Sequence, residues 1–218
     1  MIPVLIVPVL VKPELLYQML ESIDYHVEKL IVLDNGGHVS QHVVSDINRE
    51  NVAKRYVWRF PHNLGVPVSW NLGIKATPFE PWWMVANFDV CFPAGALAQF
   101  AKQSSEDRVV LSGEAASWCV FTIGSQVIEQ VGLFDEGMHP AYFEDADFAR
   151  RCQHHGIDIV STKILVNHKN SSTLADGFAA QNSVSFQANA QRFKARKSAQ
   201  DLSSGEWSLA TRKALSWD

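Results

Sequence analysis

The chain has 218 residues, 47% of them hydrophobic and 19% charged, with a formal net charge of −4. That length allows one large domain or two small ones around a sizeable core, and the charge gives no general attraction to nucleic acid or to an anionic membrane. Three widely spaced cysteines, Cys91, Cys119 and Cys152, make neither a disulfide framework nor a zinc spacing.

The opening "MIPVLIVPVLVKPELL" is apolar but carries no basic leader or small-residue cleavage site. Broken by prolines and too short to span a bilayer, it predicts a first strand in a cytoplasmic protein without a membrane span. Pro13 then stands where a helix tolerates proline, and Leu15, Leu16, Met19, Leu20 and Ile23 form one helical stripe. "KLIVLDNGG" predicts a second strand that breaks at a turn. A polar helix follows from about Ser40 to Asn48, then a short strand "RYVWRF", a helix in "VPVSWNLGIKA" and a buried strand in "PWWMVANFDV". Further on, "RVVLSG" and "SWCVFTIG" predict strands, while "SQVIEQVG" and "FEDADFARRCQHHG" predict helices closed by Gly132 and Gly156. "IDIVSTKILVNHKNSS" offers two short strands, and residues 178–197 predict a helix with Phe186, Ala190 and Phe193 on one side. The tail through Trp207 and Trp217 has no clear period, and the basic run "RFKARK" points to no partner.

This rhythm of strand and helix predicts an α/β protein with a parallel sheet covered on both faces. Ligands of such sheets bind beyond the carboxyl ends of the strands. Polar residues collect there three times: Asp34 and Asn35, then Asn63, then Asn87 and Asp89. Together they suggest one crevice.

Asn87 and Asp89 in "NFDV" point the same way if the backbone stays extended, and could share a hard divalent cation; equally, Asn and Asp are common turn residues. Gly65 permits a tight turn before a helix whose free N–H groups would suit a phosphate or a sugar hydroxyl, with Asn71 further in. Asp34 either accepts from a nucleoside or caps the next helix. In "AYFEDADFARRCQHHG", Asp147 pairs with Arg150 and Arg151 at helical spacing, which on a surface contributes a few tenths of a kcal/mol. Phe148 and Cys152 face inward, which leaves Glu144 and Asp145 at the helix entrance within a substrate's reach. A carboxylate there either meets the helix dipole or takes a proton from an attacking hydroxyl. His168 ends the last predicted strand and matters if it faces the same crevice as Asp89. His154 and His155 are expected at a solvated helix end.

In chain order, "LDNGG", "NLGVPVSWNLGI", "NFDV", "VGLFDEGMHPAYFEDADFARRCQHHG" and "NHKNSS" resemble family 2 glycosyltransferases of the GT-A fold, in the branch of rhamnosyl- and galactosyltransferase-like proteins. The resemblance covers roughly residues 1–172, and its most specific part is "GLFDE" followed by "EDADFARR". It implies a Rossmann-like, mostly parallel sheet with helices on both faces and a small mixed sheet on the acceptor side. Residues 1–90 would form the nucleotide-sugar half and 91–172 the acceptor half, while 173–218, outside the resemblance, are expected to form a helical extension serving as a lid, an acceptor-recognition element or a dimer arm.

The resemblance further places Pro8, Asp34 and Asn35 near a nucleoside, and Asn63, Gly65 and Asn71 near the diphosphate or donor sugar. "NFDV" occupies the place of a DxD-type metal motif, so Asp89 inherits a metal role, with Asn87 where an acid usually stands and His168 able to complete the site. The implied cofactor is Mn²⁺ or Mg²⁺. Asp145 inherits the general-base role with Glu144 beside it, and Trp118 offers either an aromatic wall for an acceptor sugar or a core side chain. The implied reaction is a single inverting transfer from a UDP-, GDP- or dTDP-sugar to a hydroxyl of a glycan, a protein or another acceptor.

Three other classes compete. A non-catalytic sugar-nucleotide or glycan-binding protein is favoured by Asn87 and opposed by Asp145. A dinucleotide-dependent oxidoreductase needs a glycine fingerprint that "VPVLVKPE" lacks. A nucleotidyltransferase usually wants more than one carboxylate at its metal.

Overall fold

The computed structural model describes residues 1–113, 117–169, 179–197 and 208–209. The end of "NHKNSS" and the tail with Trp207 and Trp217 lie outside the described residues. Strand β1 (Ile2–Val9) leads through helix α1 (Pro13–Glu21) to β2 (Val27–Asp34), and through α2 (Gln41–Asp46) to β3 (Val52–Arg59). Helix α3 (Val66–Ala76) then returns the chain to β4 (Trp82–Ala86), and β5 (Val90–Cys91) follows at once. Helix α4 (Ala96–Gln103), β6 (Val109–Leu111), a 3₁₀ turn (Ser117–Cys119), β7 (Val120–Gly124) and α5 (Ser125–Val131) come next. Helix α6 (Glu144–His154), β8 (Ile159–Ser161), β9 (Asn167–His168) and α7 (Ala179–Lys197) complete the described elements.

Seven strands form one sheet in the order β3-β2-β1-β4-β7-β6-β8. Strands β3, β2, β1 and β4 run parallel, and only β7 opposes its neighbours. From β1 the chain steps outward to β2 and β3, then crosses back to lay β4 on the other side of β1. That reversal opens a crevice beyond the carboxyl ends of β1 and β4, the usual ligand position in such sheets.

Alternation along β1 explains the two-sided core. Leu5, Val7 and Val9 join Leu16, Met19, Val44, Leu97 and Phe100 on one face, where α1, α2 and α4 pack. Val4 and Ile6 join Trp70, Ile74, Val127, Phe148 and Cys152 on the other, where α3, α5 and α6 pack. Each such side chain contributes about 1.5–3 kcal/mol on burial, so β1, buried along its whole length, is the spine of the molecule. The small ladder of β5 and β9 pairs Val90 with His168, which sets His168 beside the chain that leaves β4.

Candidate active site

The first wall of the crevice is made of polar side chains turned inward. Asp34 is fully buried at the end of β2, and its carboxylate accepts from the His38 and Val39 amides at 3.2 and 3.1 Å and from Arg59 Nε at 3.2 Å. It therefore organises the turn after β2; the cap of α2 is Ser40, whose Oγ accepts from the Val43 amide at 3.4 Å. Asn35 donates to Ser69 Oγ at 2.9 Å and accepts from the Leu64 amide at 3.1 Å, tying β2 to the start of α3. Asn63 accepts from the Gly65 amide at 2.9 Å. Pro8 is buried within β1 opposite Leu33.

Two expectations for α3 change. Its N-terminus is not an open cradle, because the Val66 amide donates to Pro140 O at 2.7 Å and Pro67 has no N–H to offer. The side chain of Asn71 is engaged within the protein: it donates to Phe134 O and Glu136 Oε1, both at 2.9 Å, and accepts from the Phe134 amide at 3.0 Å. It clamps the "GLFDE" loop to α3. Gly65 has φ of 82°, and a Cβ there would lie 2.8 Å from both His139 Nδ1 and Pro140 O, so only glycine lets the two loops meet.

Beyond β4 the backbone is not extended but turns at Phe88 and Asp89. The turn itself brings the polar groups together. Asp89 Oδ1 lies 3.2 Å from His168 Nε2, and Asn87 Nδ2 lies 3.5 Å from the same nitrogen. Hydrogen bonds to Asp89 and then to Cys119 raise the His168 imidazole to about 10, so at neutral pH it is the cationic partner of Asp89. Among the described residues no group of three His, Cys, Asp or Glu side chains could hold a metal. One carboxylate, one imidazole and one amide nevertheless suit Mn²⁺ or Mg²⁺ if substrate oxygens complete the sphere, with the cation replacing the His168 proton.

The helix entrance at α6 is built by strain and burial. Tyr142 and Phe143 both have positive φ, 79° and 73°, which turns the chain sharply into α6. Glu144 is turned inward, only 7% exposed, which corrects its expected position within a substrate's reach. Burial, helped by the charge of Asp145, raises its carboxyl to about 8, and its Oε2 has no hydrogen-bond partner. Asp145 is half-buried; burial raises its pKa too, against the Ala146 amide that its Oδ1 accepts at 2.7 Å. At neutral pH Glu144 thus keeps its proton, beside a carboxyl whose own pKa is raised by burial.

This arrangement makes stability depend on pH. A carboxyl raised from 4.5 to about 8 on folding keeps its proton in the native state after the unfolded chain has lost it. Stability therefore falls as pH rises from about 4.5 to about 8, by up to about 1.4 kcal/mol per unit. Glu144→Gln, neutral at every pH, is expected to lack this component and to exceed the parent in urea midpoint at pH 8; equal midpoints across the window would refute it.

Asp147 and the aromatics behind it hold the site in place. Asp147 is fully buried and receives Arg150 at 2.7 Å, Arg151 at 2.9 Å and Arg196 at 3.3 Å, so the small surface contribution expected for these pairs does not apply. Trp118 packs edge-on against Phe121, Phe134 and Phe148 with centroids 4.9, 6.5 and 6.2 Å away, which places it in the aromatic core beneath the crevice. A continuous path results. The Asn87 amide donates to Cys119 O, Trp118 precedes Cys119, and Phe148 lies one turn from Glu144. Sequence reasoning missed Asp135, which accepts both Arg192 nitrogens at 2.7 and 2.9 Å and Arg196 at 2.7 Å; its only signal was the "GLFDE" motif.

S. aureus TarS in complex with UDP-GlcNAc is similar to this chain at a TM-score of 0.62 and 14% identity, over 94% of this chain and 68% of that one. GalNAc-T7 with UDP, GalNAc and Mn²⁺ is similar at 0.58 and 10%, over 77% of this chain and 43% of that one. The fold is GT-A. The inositol-1-phosphate CTP transferase from T. maritima is also similar, at 0.51 and 12% over 85% of this chain and 96% of that one, so the GT-A frame here is shared with a nucleotidyltransferase. The chain spans 60% of the length of the TarS 1–349 chain solved with UDP. No family model matches the sequence, and no curated protein does. Among the described residues no helix is long and apolar enough to cross a membrane.

Proposed function

We propose that the chain is an inverting glycosyltransferase of family 2, in the rhamnosyl- and galactosyltransferase-like branch. It moves a sugar from a UDP-, GDP- or dTDP-sugar to a hydroxyl of a glycan, a protein or another acceptor. The observation that carries this reading is the Glu144–Asp145 pair at the entrance of α6, a buried carboxyl that keeps its proton beside a half-buried one. The GT-A neighbours solved with UDP and UDP-GlcNAc support a nucleotide-sugar donor.

Asp145 takes the proton of the acceptor hydroxyl as that oxygen attacks the anomeric carbon from the face opposite the leaving group. Its raised pKa brings it closer to neutrality, where a base is both ionised and effective. Glu144, buried and protonated, keeps negative charge from accumulating beside the base. Asp89, His168 and Asn87 would hold a Mn²⁺ or Mg²⁺ ion, which when bound would neutralise the diphosphate. Asp34, Asn35, Asn63 and Asn71 act by shaping the crevice wall, since their side chains are engaged with the backbone around them.

The test is a panel of UDP-, GDP- and dTDP-sugars, with CTP plus a sugar phosphate as the nucleotidyl-transfer arm, scored by thermal shift and by product. One nucleotide-sugar is expected to raise the melting temperature in Mn²⁺ and to be turned over. Asp89→Ala is expected to weaken that donor at least about tenfold in Mn²⁺ and to leave its affinity in EDTA unchanged. Binding without turnover would favour a sugar-nucleotide-binding module, the reading that Asn87 supports. Pyrophosphate release from CTP would favour nucleotidyl transfer.

A further inference from the structure

We propose that α7 is a clamp that sets the position of Asp145, with Asn189 as its central positioning residue. This rests on the reading of Asp145 as the base. Among the described residues the Asp145 side chain accepts only a local hydrogen bond, from the Ala146 amide, so its place depends on the loop that enters α6. That loop carries Tyr142 and Phe143 with positive φ, a conformation bulky side chains avoid unless the surroundings enforce it.

The enforcing groups lie on one face of α7. Asn189 is buried and spends its side-chain amide on two loop carbonyls, Ala141 O at 2.7 Å and His139 O at 3.3 Å. A neutral side-chain amide donates twice without bringing a charge, which suits two buried carbonyls. One turn earlier, Phe186 meets Tyr142 and Phe143 with centroids 5.5 and 4.9 Å away. One turn later, Phe193 stacks on Phe143 at 5.6 Å, and its carbonyl accepts from Arg150 at 3.0 Å.

Arg192 and Arg196 fix the helix at both ends of the loop. Arg192 forks onto Asp135, and a methyl at Gly137, two residues further on, would collide with the Arg192 guanidinium. Arg196 bridges Asp135 and Asp147, joining the start of the loop to the helix that follows it. A bidentate pair fixes orientation as well as distance. Two arginines of the basic run, Arg192 and Arg196, thus engage two carboxylates.

The test uses the full chain with Asn189→Asp, which fills the same space but donates to neither carbonyl, and Arg192→Lys, which keeps the charge but loses the fork. Amide hydrogen exchange over residues 138–147 is measured beside donor affinity, kcat and KM. Both variants are expected to exchange at least about tenfold faster there, to keep donor affinity within about twofold, and to lose about ten- to a hundredfold in kcat. Unchanged exchange with parental kcat overturns the clamp, as does a loss confined to donor affinity. If Asn189→Asp speeds exchange while Asp145→Asn still turns over normally, the clamp stands and the base assignment falls.

Discussion

Asp145→Asn is expected to lower turnover by about 10²- to 10⁴-fold while donor affinity stays within about twofold. The substitution keeps the shape of the side chain and its bond to the Ala146 amide, and removes only the ability to accept a proton. Because burial raises the Asp145 pKa, the parent chain is expected to lose kcat/KM on the acid side as this group protonates. The variant should show a flat, low profile there. Glu144 does not replace the lost base, since its carboxyl is neutral until pH rises to about 8 and its Oε2 is sealed from solvent. Near-parental turnover in Asp145→Asn, measured with the donor found by the panel, would remove the base assignment.

Asp147→Ala is expected to be the most destabilising single change, costing about 3–5 kcal/mol in urea unfolding. Arg151 is fully buried, and besides Asp147 it reaches only the Val131 carbonyl at 2.8 Å among the bonds described. Its desolvation is offset by the Asp147 charge, so removing the carboxylate leaves an uncompensated guanidinium in the core. Replacing Asp147 and Arg151 together by apolar residues of similar volume should cost less than Asp147→Ala alone. A loss below about 1 kcal/mol in the single variant would mean that Arg151 finds water or another partner.

The central sheet was legible because β1, β2 and β4 are apolar runs bounded by turn residues, and because Gly132 and Gly156 close α5 and α6 where helices end. Helix α4 was not anticipated: Ala96, Leu97 and Phe100 are its only buried side chains, too few to stand out as a stripe. At the site, the pairing of Asp147 with Arg150 and Arg151 follows from helical spacing, but its burial does not. Burial depends on Val131 and α7, which local spacing does not reveal. Asn71 and Asp135 show the same limit. Their partners lie 63 and 57 residues away, and nothing near either residue announces them. The meeting of Asp89 with His168 was foreseen as a condition, and a turn rather than strand alternation fulfils it.

The ladder that carries His168 is only two residues long on each side and separate from the main sheet. On the proposed reading of Asp89 and His168 as cation ligands, a change near residue 167 would alter that site while the seven-stranded scaffold stays intact.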